Sequence, residues 1–242
     1  MEYACILIVL VVIIVLYFLY QNGYLKIRKI QEVKENQIKI ACVGDSITYG
    51  FGVKNWSENN YPKLLQDMLG DKYHVANFGF SGSCIGKFTD FPYMKTNQYL
   101  KSLEYDPDIL IFMLGSNDSK PFNWAGKEQF KEEYLTLLDT YIKEKTIKVY
   151  LCTVSRAFFR GKRISGMTNY GIQPKIIEEI VEVIKEVASE KEYELIDINK
   201  LTFDNRIWFI KDNVHPNNEG IKAIAKEIYE KINNKLYNII DI

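Results

Sequence analysis

A serine stands at the end of an apolar run near one end of this sequence, and an aspartate and a histidine three apart stand near the other. Residues 38–43, Ile-Lys-Ile-Ala-Cys-Val, lead into Gly44-Asp45-Ser46, and far downstream comes Asp212-Asn213-Val214-His215-Pro216. Ester cleavage through a serine needs a hydroxyl, a base to take its proton, and donors for the oxyanion. Ser46 supplies the hydroxyl and His215 is the candidate base. Asp212 is spaced to bond the other ring nitrogen and fix its tautomer. The sequence holds two histidines, His74 and His215, so a mechanism that needs an imidazole has almost no choice. His74 opens an expected strand and reads as structural. Gly44 permits a tight turn that exposes Ser46, and Pro216 keeps His215 away from helical backbone angles. Three groups are candidate oxyanion donors: the Ser46 backbone N–H, the N–H of Gly82, which has no side chain to hold the backbone back, and the Asn117 side-chain amide. Each residue also has a plainer reading. Ser46 is a favoured helix cap, Asp212 can cap a turn, and Asn117-Asp118 can form an Asx turn.

These groups need a scaffold, and the pattern downstream of residue 38 supplies one. Apolar strand-like segments at 38–43, 73–78, 108–114, 148–154 and 193–198 alternate with helix-like ones at 61–69, 127–145, 174–190 and 217–235. Pro62 starts the first helix and Gly70 stops it, and Pro174 stands near the start of the third. Strands that each lead to a helix imply a parallel sheet covered on both faces and joined by right-handed crossovers. In such sheets, sites form beyond the carboxyl ends of the strands. Gly44-Asp45-Ser46, Ser81-Gly82 and Gly115-Ser116-Asn117-Asp118 each follow an expected strand, so three polar turns should meet at one edge. Asp45 reads as holding the nucleophile turn.

In these residues the sequence resembles the SGNH hydrolases, also called GDSL esterases. Four blocks carry the resemblance, in order: Gly44-Asp45-Ser46 continuing to Gly50, Asn77 to Gly82, Gly115-Ser116-Asn117-Asp118, and Asp212 to His215. The resemblance covers roughly residues 38–232. It implies Ser46 as nucleophile, with Asp212 and His215 completing the triad. It implies Gly82 and Asn117 as oxyanion donors beside the Ser46 N–H. The implied fold is an α/β three-layer α/β/α sandwich with a five-stranded parallel sheet, and no metal or organic cofactor is implied. Residues 118–124, Asp-Ser-Lys-Pro-Phe-Asn-Trp, are similar to those of bacterial carbohydrate or sialate O-acetylesterases. That implies a short acyl group, acetyl by expectation, on a sugar hydroxyl. Asp45, Tyr49 and Trp124 are candidate substrate contacts, the two rings as stacking surfaces for a sugar. The same triad would serve a membrane-associated O-acyltransferase or a lysophospholipase-like lipid esterase. A non-enzymatic glycan-binding module is a third reading, against which the intact catalytic residues argue.

From Tyr3 to Tyr20 no residue is charged. As a helix this stretch would be about 27 Å long, near the ~30 Å of a bilayer core. The expectation is one N-terminal transmembrane helix within residues 1–22, a polar tether at 23–37, and a catalytic domain at 38–242. A cleaved signal peptide is the competing reading. Against it, Met1-Glu2 carries no Lys or Arg, and no small-x-small site follows Tyr20. Lys26, Arg28, Lys29 and Lys34 after the anchor predict that the domain stays cytoplasmic, whereas the polymeric glycans implied by the family point to the outer face. Basic and acidic residues balance at 31 each. No basic stripe with interleaved aromatics marks a nucleic-acid partner. Cys5, Cys42, Cys84 and Cys152 show neither metal-ligand spacing nor a disulfide framework, and read as small buried hydrophobes.

Overall fold

The protein, seen here in a computed structural model, is described over residues 2–21, 32–142, 146–159 and 170–240. Helix α1 (Glu2–Gln21) comes first, then β1 (Ile38–Gly44), α2 (Ser46–Tyr49), α3 (Trp56–Asn59), α4 (Tyr61–Leu69) and β2 (Tyr73–Gly79). They are followed by α5 (Asn97–Glu104), β3 (Ile109–Met113), α6 (Lys127–Ile142), β4 (Lys148–Cys152), α7 (Pro174–Glu190), β5 (Glu194–Ile196), α8 (Ile198–Thr202) and α9 (Asn218–Ile240). The strands form one five-stranded sheet in the order β2-β1-β3-β4-β5, and every pairing is parallel.

Alternation along the strands divides the core in two. Ala41, Val43, Leu110, Phe112, Val149 and Leu151 face one cluster, closed by α6 and α7 through Tyr134, Leu137, Ile177, Ile180 and Ile184. Ile40, Cys42, Ile111, Met113, Tyr150 and Cys152 face the other, closed by α4 and α9 through Leu65, Ile221, Ile224 and Ile228. The period of two in the strands and of three to four in the helices thus puts apolar side chains on both faces of the sheet. The expected α/β sandwich is present. The chain leaves β1 toward β2 on one side and returns to β3 on the other, so the carboxyl ends of β1, β2 and β3 surround the point where strand order reverses. Crevices at that point bind ligands in open α/β sheets.

Two glycines seat the short helix that begins at Ser46. Gly44 and Gly79 are register partners at the ends of β1 and β2. A Cβ on Gly44 would overlap the Thr48 hydroxyl and lie 2.6 Å from the Met113 carbonyl oxygen. One on Gly79 would overlap the Tyr49 backbone nitrogen and lie 2.7 Å from the Thr48 carbonyl carbon. Close approach of α2 to the strand ends, rather than an unusual backbone angle, is what requires glycine at position 44.

Several boundaries differ from expectation. β5 is shorter than 193–198, because the Asp197 side chain already caps α8 by accepting from the Lys200 N–H. α9 runs beyond 235, to Ile240. α5 lies in a stretch whose sequence pattern marked no element, and starts where Thr96 caps it. Residues 143–145, expected in the helix after 127, and residues 23–31 of the expected tether lie outside the described residues. The anchor expectation is also not met. Among the described residues no helix is long and apolar enough to cross a membrane.

Candidate active site

Ser46 is the first residue of α2, directly beyond β1. Asp45 caps this helix, its carboxylate accepting from the Ile47 N–H at 2.9 Å. Burial pushes the Asp45 carboxyl up, while the Ile47 N–H and the charges of His215 and Lys120 act against that rise. The helix ends at once, Gly50 taking a left-handed conformation and the Phe51 N–H returning to the Ser46 carbonyl at 2.9 Å. A four-residue helix seated on glycines therefore turns one hydroxyl toward the strand ends.

The imidazole arrives from the segment before α9. Ser46 Oγ lies 2.8 Å from His215 Nε2, and His215 Nδ1 lies 2.7 Å from Asp212 Oδ2. Asp212 Oδ1 accepts the backbone N–H groups of Val214 and His215, both at 2.9 Å. Asn213 between them is left-handed at φ 64°, a region asparagine tolerates better than most residues. The turn is tied to its surroundings by the Ile210 N–H on the His215 carbonyl and the Phe158 N–H on the Asn213 carbonyl. Burial raises the Asp212 carboxyl, but the hydrogen bond and charge of His215 and the two backbone N–H groups outweigh it and hold it below the usual carboxylate range. A carboxylate kept ionised beside a buried imidazole stabilises the imidazolium that forms when the serine loses its proton.

Ser46 and His215 line a cavity of about 300 Å³ with Gly82, Asn117, Lys120, Phe51, Tyr170 and Ile172 among its walls. Gly82 has φ +84°, which favours glycine. The Asn117 side-chain amide donates to the Ser83 carbonyl at 3.1 Å, and one of its two N–H bonds is left for another acceptor. Ser46, Gly82 and Asn117, the residues that carry the three candidate donors, all line this cavity. Such a space suits a tetrahedral oxyanion. Among the described residues no group of three or more His, Cys, Asp or Glu is arranged to hold a metal.

Three expected substrate contacts are not among the cavity walls. Asp45 is buried beneath the turn and caps it. Tyr49 stacks on Trp56 with centroids 5.1 Å apart and packs against the α4/α9 core. Trp124 lies against Phe130 at 5.9 Å and packs against the other core. The aromatic walls are instead Phe51 and Tyr170, whose rings sit 4.5 and 5.2 Å from the His215 ring. Phe51 follows the Gly50 cap and could have been suspected from its place behind the first block. Tyr170 and Ile172 lie in a stretch with no pattern to mark them. His74 bonds the Tyr105 hydroxyl at 2.6 Å in β2, away from the cavity.

A model of the GDSL-like lipase/acylhydrolase family matches residues 42–223. An acetylxylan esterase of Xylanibacter ruminicola is 32% identical over 221 residues, which is 84% of this chain and 44% of that protein. A multidomain esterase of Ruminococcus flavefaciens is 27% identical over 81% of this chain and 28% of that protein. The chain thus spans less than half the length of both relatives. Among solved structures, a carbohydrate acetylesterase from Sinorhizobium meliloti shares the fold, with TM-score 0.65 and 20% identity over 82% of this chain and 99% of that one.

Proposed function

The chain belongs to the GDSL-like lipase/acylhydrolase family, and on that premise we propose that it is a serine esterase removing a short acyl group, acetyl first, from a carbohydrate. The observation that carries the reading is the unbroken relay from Ser46 Oγ through His215 to Asp212, at 2.8 and 2.7 Å, opening on a walled cavity. His215 Nε2 takes the Ser46 proton as Oγ attacks the ester carbonyl carbon. The negative oxygen is received by the N–H groups of Ser46 and Gly82 and by the Asn117 amide. His215 returns the proton to the departing sugar oxygen, leaving an acyl-serine. Water, deprotonated by the same nitrogen, releases the carboxylic acid and restores the serine. Asp212 holds the ring and stays ionised throughout.

The small, partly aromatic cavity supports a short acyl group, and the acetylxylan esterase relative supports a sugar as its carrier. Hydrolysis of p-nitrophenyl acetate and of acetylated xylo-oligosaccharides tests both parts. Ser46→Ala should lower turnover by about 10³-fold or more with an unchanged circular dichroism spectrum. Equal turnover in that variant would remove Ser46 from the mechanism.

We propose further that α1 attaches the protein to a bilayer. Supporting this, Ile6, Leu7 and the run from Val9 to Tyr17 are exposed, and a contiguous apolar surface of that kind marks a site of association. Flotation of membranes from expressing cells on a density gradient at neutral pH tests it. Recovery of the full chain in the soluble fraction would refute attachment.

A further inference from the structure

Behind the oxyanion site lies a carboxylate that the reaction above does not use. Asp118 is 2% exposed. Its Oδ2 accepts the Ile85 N–H at 3.0 Å and its Oδ1 accepts the Gly86 N–H at 2.9 Å. Its neighbour Asn117 donates to the Ser83 carbonyl, and the Asn117 carbonyl in turn accepts from the Asn123 amide at 2.9 Å. Two consecutive residues of the turn after β3 therefore grip positions 83, 85 and 86 of the turn after β2, just beyond Gly82. The contact at Gly86 is close. A Cβ there would lie 2.6 Å from Thr89 Cγ2 and 3.0 Å from Glu133 Oε2.

We propose that Asp118 is a positioning residue for the oxyanion site, clamping the turn that presents Gly82 and so fixing where its N–H points relative to the Asn117 amide. The inference rests on the esterase reading. Where the Asp118 carboxyl is ionised, at the mildly alkaline pH of an esterase assay, its hydrogen bonds are charge-assisted and roughly twice as strong as neutral ones. An oxyanion donor misplaced by a fraction of an ångström loses most of its effect, since the site acts through preorganisation. Burial pushes the Asp118 carboxyl up to about 7, the two N–H groups acting against the rise and the Asp45 charge adding to it. Other ionisable groups beside it are Cys84 and, across Gly86, Glu133.

Asp118→Asn keeps the shape but turns one acceptor into a donor that faces an N–H. With active sites counted by end-point fluorophosphonate labelling, kcat/KM per site on p-nitrophenyl acetate should fall by about 10- to 100-fold. The loss should lie in kcat, and Asp118→Ala should lose at least as much. A merely structural role would reduce the number of sites and leave each at full rate. Per-site turnover within twofold of the parent in either variant overturns the proposal. If neither variant folds, native-state hydrogen exchange of the parent decides. Ile85 and Gly86 amides should exchange as slowly as those of β3, and exchange at the unprotected rate overturns the clamp. Parent activity, and its loss in Ser46→Ala, judges the esterase reading separately.

Discussion

Asp212 holds His215 twice, by the ring and by the backbone. One carboxylate oxygen meets Nδ1 at 2.7 Å and the other meets the His215 N–H at 2.9 Å. The residue that fixes the tautomer also shapes the turn that delivers the ring. Asp212→Asn should lower kcat by about 10³- to 10⁴-fold, since the amide favours the wrong tautomer, while the turn survives through its remaining oxygen. Asp212→Ala removes both and should in addition cost about 1–3 kcal/mol of stability, read from urea unfolding. Equal stability of the two variants would show that the backbone bonds contribute nothing.

The carboxyls of Asp212 and Asp118 act on stability in opposite senses. The Asp212 carboxyl is held below its ordinary value in the folded protein, so its contribution is complete above pH ~4 and fades as acid protonates it. Asp118 is raised from 3.8 to about 7. Between those values the folded chain keeps a proton that the unfolded chain has released, so stability falls as pH rises through that window. The full effect is roughly 4 kcal/mol at 1.36 kcal/mol per unit. Asp118→Asn cannot titrate. Measured between pH 4 and pH 8, its stability relative to the parent should therefore rise with pH. A flat difference would place the Asp118 carboxyl in its ordinary range.

The oxyanion donors should separate from the triad by the size of their effects. Asn117→Ala removes a donor and should lower kcat by about 10²- to 10³-fold. Gly82→Ala keeps the N–H but forces a side chain onto φ +84°, at a cost on the order of 1–3 kcal/mol. Its kcat should fall by at least about tenfold as the turn relaxes, with precision of the donor lost rather than the donor itself. Single-turnover kinetics with p-nitrophenyl acetate would measure both, and an unaffected acylation rate in Asn117→Ala would exclude the amide from the site.

Gly44 should tolerate nothing larger. A Cβ there meets the Met113 carbonyl oxygen at 2.6 Å and the Thr48 side chain, so either α2 lifts away or the sheet edge opens. Gly44→Ala should cost more than about 1–3 kcal/mol, the usual range for overpacking, because backbone has to move. Thermal unfolding gives the answer, and a melting temperature equal to the parent's would mean that α2 is free to shift.

Strongly patterned parts of the fold were legible in the sequence. α4 and α7 begin at or next to a proline that suits a first turn, and their apolar spacing is regular. β1 and β3 are nearly continuous apolar runs, as a doubly covered sheet demands. α5 was not legible, because only Tyr99 and Ser102 of its eight residues are buried and no apolar stripe of helical period marks it. In the site, Ser46, Asp212 and His215 could be named from residue type and spacing. The walls could not. Tyr49 and Trp124 have the chemistry to stack on a sugar, yet each points into a core. Side-chain direction on a four-residue helix or in a loop depends on packing that distant segments supply.

The hydroxyl and the imidazole that meet at 2.8 Å stand 169 positions apart in the chain. Every strand of the sheet is complete by Ile196, well before His215 leaves the ribosome. A chain ending between those points holds all five strands in its sequence but neither His215 nor α9, which closes one face of the sheet. Catalysis begins only when the last segment docks, so in a refolding experiment the appearance of activity is a clock for the step that brings His215 to Ser46 and closes that face of the core.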